Sequence, residues 1–364
     1  MLQIYWGGFM YESISVVDIF CGVGGLSHGL LNAGLPVRAG VDNDLHCCYA
    51  FEANNPGTAF VERNVDDPRL PELLEVIYGP TDMRVLVGCA PCQPFSSQTQ
   101  KNMSSREDKR GDLLYRFADI VRALRPTLVS MENVARIIRQ PVFRDFVANL
   151  TQMGYHVWAK AVDCRKYGVP QIRRRLVLMA SQLGPLELDS SVYDRYKTVR
   201  DTIGHLEAIP AGGVSKSDPL HRTQRLSTLN MRRIRNSKPG GTWLDWDEEL
   251  RLTCHKKKTG QTYTSVYTRM AWDIPSPTIT TQFYSFGTGR FGHPEQNRAL
   301  SLREGALLQT FPQDYSFVRP NTKAMDISMS RLGGQIGNAV PVELAKAIGR
   351  SMVEHLMEHG VLRS

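Results

Sequence analysis

Continuously apolar runs alternate with amphipathic stretches along the first half of the chain. Each run is short, rich in β-branched residues and followed by turn residues, which is typical of a buried strand. The runs that predict strands lie at 14–20, 37–41, 84–89, 127–131, 157–162 and 176–180. The stretches with apolar residues at helical spacing, which predict helices, lie at 26–33, 112–124, 142–153 and 342–357. Strands that alternate with helices indicate βαβ units, so we predict an α/β fold with a doubly wound, mostly parallel sheet.

The pattern changes after residue 181. Residues 182–297 are rich in turn residues, charge, serine and threonine, without sustained periodicity. The only elements predicted there are a short helix at 199–206 and strands at 262–268 and 278–284. We therefore predict two domains. These are a large α/β domain of 13–181 plus 331–360 and a smaller irregular domain of 182–330.

Composition narrows the class of protein. Of the 364 residues, 42% are hydrophobic and 22% are charged, which excludes a disordered or collagen-like chain. No apolar run approaches the roughly 20 residues that span a bilayer, and the first dozen residues do not resemble a signal peptide. The seven cysteines form an odd and scattered set, so we expect free thiols and a cytoplasmic protein. The formal charge of +8 favours a polyanionic partner.

A glycine-rich turn follows the first predicted strand and opens a helix. It reads DIFCGVGG over 18–25 and contains Gly22, Gly24 and Gly25. Such glycines let the backbone approach a ligand at a helix N-terminus. Asp42 ends the next strand, where a carboxylate could accept hydrogen bonds from ribose hydroxyls. The turn therefore predicts a nucleoside-containing cofactor, although NAD, FAD, S-adenosylmethionine and a simple packing turn all remain open at this point.

Chemically active residues follow the later strands. GCAPCQPFS, which contains Cys92, lies just past the third strand, and Glu132 lies at the end of the fourth. Because ligands in open parallel sheets bind outside the carboxyl ends of strands, these residues should face the glycine turn. A thiol and a carboxylic acid beside a nucleoside cofactor suit methylation at carbon 5 of cytosine: the thiolate adds to carbon 6 and the acid protonates the ring.

Cys89 and Cys92 also form a C-x-x-C pair, which could be a redox pair or half of a zinc site. No second such motif completes zinc coordination, and we predict no metal. We expect Cys89 to be a buried residue at a strand end.

Six motifs together resemble those of DNA (cytosine-5) methyltransferases in order and spacing, from about residue 14 to 345. They are 18–25, Asp42, 91–96, 132–134, 171–175 (QIRRR) and 334–341 (GQIGNAVP). The segment 298–315 is similar to a late motif of the same family.

This resemblance implies the fold of S-adenosylmethionine-dependent methyltransferases, with that cofactor as the methyl donor. Cys92 would be the nucleophile and Glu132 the acid, while Arg173 and Arg175 would orient the base and the carboxylate. The implied cofactor contacts are Phe20, Gly22, Gly24, Gly25, Asp42, Asn64, Val65, Pro91 and Asn338. Asn64 occupies a position where the family often has Asp, and its side-chain carbonyl still offers an acceptor.

The resemblance also implies a double-stranded DNA substrate, a flipped-out cytosine and a smaller domain that recognises the target. Residues 97–112 would close over the substrate. The arginines expected to contact DNA are Arg110, Arg222, Arg225, Arg232, Arg233 and Arg235. For the run from 222 onward, a solvated surface is the alternative interpretation. We expect a monomer that protects host DNA beside cognate restriction or phage-defence proteins.

Three other functions stay open at this stage. A tRNA cytosine-5 methyltransferase of the same family is disfavoured because the Cys-Phe-Thr tripeptide of those relatives is absent. A non-catalytic DNA-binding paralogue would be expected to lack Cys92 or Glu132, and both are present. A nicotinamide-dependent oxidoreductase would share the glycine turn but would not need the thiol and carboxyl motifs.

Overall fold

The computed structural model describes residues 14–81, 83–91, 112–189, 195–257, 260 and 262–362. The described residues form two compact units. Unit 1 lies within 1–163, 174–191 and 342–364, and unit 2 lies within 164–173 and 192–341. No helix among the described residues is long and apolar enough to cross a membrane.

Unit 1 alternates strands and helices. Its strands are β1 (Ile14–Ile19), β2 (Val37–Asp42), β3 (Ala59–Glu62), β4 (Met83–Gly88), β5 (Leu128–Val134), β6 (His156–Asp163) and β8 (Arg174–Ser181). Its helices are α1 (Gly25–Asn32), α2 (Cys48–Asn54), α3 (Leu70–Tyr78), α4 (Asp112–Leu124), α5 (Pro141–Gln152) and α11 (Val342–Glu358). Every strand predicted from an apolar run is present. The sequence did not predict β3, α2 and α3. For β3 the reason is that it is a short strand at the sheet edge with no fully buried residue, so it has no apolar run.

The seven strands form one sheet in the order β3-β2-β1-β4-β5-β8-β6. The first five strands in this order pair in parallel, and β8 runs antiparallel to both β5 and β6. The predicted doubly wound, mostly parallel α/β fold is therefore confirmed. Consequently β1, β2, β4 and β5 all end at the same edge of the sheet, where polar residues follow each strand.

The core of unit 1 is apolar and regular. Along α4, Leu114, Phe117, Val121 and Leu124 are buried on one face. Phe117 packs against Phe146 of α5, with ring centroids 5.8 Å apart. Burial of such side chains contributes roughly 1.5–3 kcal/mol each, which is why the periodicity of these helices is visible in the sequence.

Unit 2 has few regular elements. It contains β7 (Gln171–Ile172), α6 (Val199–Ile203), α7 (Thr228–Arg235), α8 (Thr253–Lys256), β9 (Ser276–Pro277), α9 (Leu302–Leu308) and α10 (Met329–Asn338). The helix predicted at 199–206 is confirmed as α6. The strands predicted at 262–268 and 278–284 are wrong, because these segments are turns and irregular chain. Their apolar residues, such as Val266 and Phe283, reflect burial in a core rather than strand pairing.

Buried arginines take the place of strand pairing in unit 2. Arg269 donates hydrogen bonds to the carbonyl oxygens of Ile234, Ser237, His293 and Gln296 at 2.7–3.0 Å. Arg298, which is fully buried, forms a two-bond ion pair with Glu304, both at 2.7 Å. Its remaining donors reach the carbonyls of Ile209 and Ala299. Because irregular chain leaves carbonyls without ladder partners, these guanidinium groups satisfy them.

The boundaries of the two units differ from those of the predicted domains. Residues 164–173 and 331–341 belong to unit 2, whereas the sequence places them with the large domain. The reason is local packing: α10 packs on α9, and 164–173 contributes β7, which pairs with β9. Residues 182–189 belong to unit 1, whereas the sequence places them with the smaller domain. The functional division into a catalytic and a target-recognition domain stays a prediction.

Candidate active site

The glycine turn adopts a backbone conformation that favours glycine. Phe20, Gly22 and Gly24 have φ angles of 64°, 52° and 89°. A Cβ atom added at Gly22 would meet nothing within 4 Å, so the turn is open on that side. Gly24 immediately precedes α1 and Gly25 is its first residue, so the N-cap position has no side chain of its own to cap the helix. Backbone N–H groups at a helix N-terminus suit a polar or anionic part of a ligand.

Asp42 supports this turn. Its Oδ2 accepts a hydrogen bond from the Gly22 N–H at 2.9 Å, and its Oδ1 accepts one from the Asp44 N–H at 2.9 Å. The Asp42 side chain is half-buried. A carboxylate offers about four lone-pair sites, so Asp42 keeps acceptor capacity for two hydroxyl groups. This is the geometry that a ribose-binding carboxylate needs beside an open glycine turn.

A second carboxyl group lies beneath the turn. Asp18 is fully buried on β1, and its Oδ2 accepts a hydrogen bond from the Ser27 hydroxyl at 2.7 Å. Burial raises the pKa of Asp18 to about 7, and the negative charge of Asp42 acts in the same direction. Burial likewise raises the pKa of the Cys21 thiol. Neither Asp18 nor Ser27 was singled out in the sequence, because nothing in the pattern reveals that they contact each other.

The other implied cofactor residues lie where their strands end. Asn64 and Val65 follow β3, and the Asn64 side-chain carbonyl accepts a hydrogen bond from the Asp66 N–H at 3.2 Å. Val65 packs against the core of unit 1. Pro91 is exposed and follows β4. Asn338 is an exposed residue at the end of α10 in unit 2. Their roles at a cofactor stay predictions.

Glu132 is the most constrained acid in this part of unit 1. It lies on β5, and its side chain is only 4% exposed. Its Oε1 lies 3.0 Å from Nε of Arg175, and its Oε2 accepts a hydrogen bond from the Cys89 thiol at 3.0 Å. Oε2 is therefore hydrogen-bonded, whereas Oε1 has the ion pair with Arg175 but no hydrogen bond among the described residues. The next residue, Asn133, donates from Nδ2 to the Ala90 carbonyl at 3.2 Å and ties the end of β5 to the chain after β4.

Arg173 and Arg175 have different surroundings. Arg175 lies on β8 beside Glu132 in unit 1, whereas Arg173 belongs to unit 2. Arg173 is buried and donates to the carbonyl oxygens of Ile279 and Ala339 at 3.1 and 3.5 Å. The two arginines do not share a strand, because Arg173 lies between β7 and β8.

The arginines expected to contact DNA fall into two groups. Arg225, Arg232 and Arg235 are exposed, and Arg232 forms an ion pair with Glu249. Arg233 is buried on α7, lies over the rings of Trp246 and Tyr267, and donates to the Leu250 carbonyl at 2.9 Å. In Arg222, Nη1 donates to the carbonyls of Ala324 and Ile327. These contacts favour internal packing over phosphate binding for Arg233 and Arg222.

Two of the implied residues lie outside the described part of the chain. Cys92 and Arg110 both fall within 92–111. Cys89 lies just before that segment, and it is half-buried rather than buried as expected. The sequence did not predict its contact with Glu132. Its position next to a chemically active motif was the one feature of the sequence that pointed to a role at the site.

Comparisons with known proteins agree on one family. The model of C-5 cytosine-specific DNA methylases matches residues 14–354. The chain is 48% identical over 347 residues to the type II methylase M.HgiDII of Herpetosiphon aurantiacus. This alignment covers 94% of the present chain and 96% of M.HgiDII. It is 32% identical to the type II methyltransferase M.Eco47II of Escherichia coli, and this alignment covers 94% of the present chain and 79% of M.Eco47II. A crystal structure of a proposed DNA modification methyltransferase encoded within an E. coli prophage has the same fold, with a TM-score of 0.69 at 22% identity, covering 95% and 100%.

Proposed function

The chain belongs to the C-5 cytosine-specific DNA methylases, and we propose that this DNA cytosine-5 methyltransferase uses S-adenosylmethionine to methylate a flipped-out cytosine in a specific duplex site. The observation that carries the proposal is the edge of the unit 1 sheet. There the open glycine turn follows β1, Asp42 ends β2, and Glu132, with its ion pair to Arg175 and its hydrogen bond from Cys89, lies near the end of β5. A nucleoside cofactor and a reacting base need these two sets of groups side by side.

The residues present fit the cofactor. The open side of Gly22 leaves room for close approach, and Asp42 keeps lone pairs for ribose hydroxyls. Phe20, Asn64, Val65 and Pro91 lie at the ends of neighbouring strands of unit 1. Asn338 is assigned to the cofactor by the resemblance to the family alone. When bound, S-adenosylmethionine supplies an electrophilic methyl group.

The chain's own residues carry the remaining steps. The Cys92 thiolate bonds to carbon 6 of the cytosine while Glu132 gives a proton to ring nitrogen 3, so electron density moves to carbon 5. Carbon 5 would then be nucleophilic enough to accept the methyl group that S-adenosylmethionine would supply. A base from solvent takes the carbon-5 proton, so that the ring double bond re-forms and Cys92 leaves as thiolate, while nitrogen 3 returns its proton to Glu132. Acid assistance of this kind contributes about 10²–10⁴-fold in rate.

Arg175 gives Glu132 its orientation in this account. Its guanidinium lies 3.0 Å from Oε1 and is itself fixed by a hydrogen bond from Nη1 to the Arg174 carbonyl at 2.9 Å. The positive charge beside Oε1 leaves Oε2 to turn toward the base.

Methylation would protect host DNA in a restriction-modification system, with a cognate nuclease or another phage-defence protein as partner. The similarity to M.HgiDII and M.Eco47II, both of them type II enzymes by name, supports this proposal. Residues 182–330 would recognise the site, and their exposed arginines Arg225, Arg232 and Arg235 would hold the phosphate backbone.

Bisulfite sequencing of DNA from cells that express the protein tests the proposal. We expect protected cytosines within one short recurring sequence, and none in cells that express Cys92→Ala. Protection spread without a common sequence, or equal protection with Cys92→Ala, would contradict it.

A further inference from the structure

The carboxylate of Glu132 has two contacts of different kinds. Arg175 forms an ion pair with Oε1 without a hydrogen bond, and Cys89 donates its S–H group to Oε2. We infer that Cys89 is a positioning residue that orients Oε2 of Glu132 toward the cytosine ring. This inference rests on the proposed role of Glu132 as the acid.

The backbone fixes the Cys89 thiol next to Glu132. The parallel pair of β4 and β5 places Gly88 opposite Met131, so the next residues along each strand are Cys89 and Glu132. The Cys89 N–H donates to the Ile19 carbonyl at 3.3 Å, which holds this segment against the end of β1. One residue further on, Asn133 of β5 donates to the Ala90 carbonyl. The contact between thiol and carboxylate thus follows from the sheet register and from hydrogen bonds on both sides.

Gly88 allows this register. A Cβ atom at Gly88 would lie 2.8 Å from the Ile19 carbonyl oxygen and 3.0 Å from the Phe117 ring. A larger residue would push the end of β4 away from β1. Cys89 would then move relative to Glu132, because the two share the strand ends that Gly88 brings together.

A thiol suits an oxygen that must change partners. The S–H group is a weak, neutral donor, so it fixes the direction of Oε2 at little cost when the base displaces it. Arg175 keeps its ion pair with Oε1, so the carboxylate is not released when Oε2 changes partners. Arg175 therefore anchors Oε1 of the carboxylate, and Cys89 sets the direction of Oε2.

Cys89→Ala in the full chain tests this role. Loss of this single weak donor should lower kcat about threefold to tenfold. KM for DNA and for S-adenosylmethionine, and the melting temperature, should stay at the wild-type values. Cys89→Ser retains a donor and should bring kcat back to within about twofold of wild type. The matched control is Cys254→Ala, an exposed cysteine of unit 2, which should keep wild-type kcat.

A double-variant cycle separates this inference from the proposed role of Glu132. In Glu132→Gln, kcat should fall about a hundredfold or more, and adding Cys89→Ala should cause little further loss, because Cys89 acts through the carboxylate. Wild-type turnover in Glu132→Gln would overturn the role of Glu132. A large loss in Glu132→Gln with no loss in Cys89→Ala would overturn only the positioning role. So would losses that multiply in the double variant, or a loss that Cys89→Ser does not repair.

Discussion

The two units use the same kind of charged residue in opposite ways. In unit 1 the backbone is satisfied by a seven-stranded sheet, and Arg175 is left to hold a carboxylate at the sheet edge. In unit 2 little sheet exists, and Arg269, Arg298 and Arg233 are buried with their donors on backbone carbonyls. Basic charge in the irregular unit is therefore partly internal structure. If all arginines of unit 2 are counted as DNA contacts, the size of the surface that binds DNA is overestimated.

The largest test of this comparison is Arg298→Met. This change leaves Glu304 buried without its ion pair and removes the donors to Ile209 and Ala299. Burial alone would raise the pKa of Glu304, but Arg298 outweighs it and lowers that pKa to about 2, so the pair is charged at neutral pH. We expect the free energy of unfolding, measured by urea titration, to fall by about 3–5 kcal/mol.

Arg235→Met is the control for that experiment, since it removes the same group from an exposed position on α7. Its free energy of unfolding should stay within about 0.5 kcal/mol of wild type. Equal losses in the two variants would mean that burial of the guanidinium does not distinguish the arginines of unit 2.

The second test sets Asp18 against Glu304, two buried carboxyl groups with different partners. Asp18 has a serine hydroxyl instead of a guanidinium, and burial raises its pKa from 3.8 to about 7. Between those values the folded chain keeps a proton that the unfolded chain releases. Asp18 therefore lowers the free energy of unfolding as pH rises through this window, by up to about 4 kcal/mol.

Asp18→Asn removes that titration and keeps the shape of the neutral group. Its free energy of unfolding should exceed that of wild type by a margin that grows from about pH 4 to about pH 7 and then stays constant. Urea titrations at several pH values would measure the margin. A margin that does not change with pH would show that Asp18 is not the titrating group.

The smallest effect is expected for single exposed arginines on DNA. Among the described residues Arg235 has no ion-pair partner, and Arg235→Ala should reduce the slope of log affinity against log salt by about 0.9, equally for cognate and scrambled duplexes. Arg233→Met should lower stability and leave that slope unchanged, because Arg233 is buried against Trp246 and Tyr267. An unchanged slope in Arg235→Ala would favour a solvated surface, and altered site preference would mean that Arg235 reads bases.

The same contrast decides how much the sequence could predict. The strands and most helices of unit 1 were predictable, because apolar residues repeat with the period of each element, as in 112–124. Asp42 and Glu132 were placed at strand ends by the same reasoning. The hydrogen bonds that Arg269 donates to the carbonyl oxygens of Ile234 and His293 were not predictable, since these partners lie far along the chain and follow no period. The contact of Cys89 with Glu132 depends on the register of β4 against β5, which composition does not encode.

The central claim is covalent catalysis at carbon 5 by Cys92 with Glu132 as the acid. It is tested most directly with a duplex that carries 5-fluorocytosine at the methylated position, because fluorine blocks the proton removal that releases the thiolate. With S-adenosylmethionine present, mass spectrometry should find a complex of protein and DNA joined at Cys92, and none with Cys92→Ala. An adduct at another residue, or methylated product released from the fluorinated duplex without any adduct, would contradict the account.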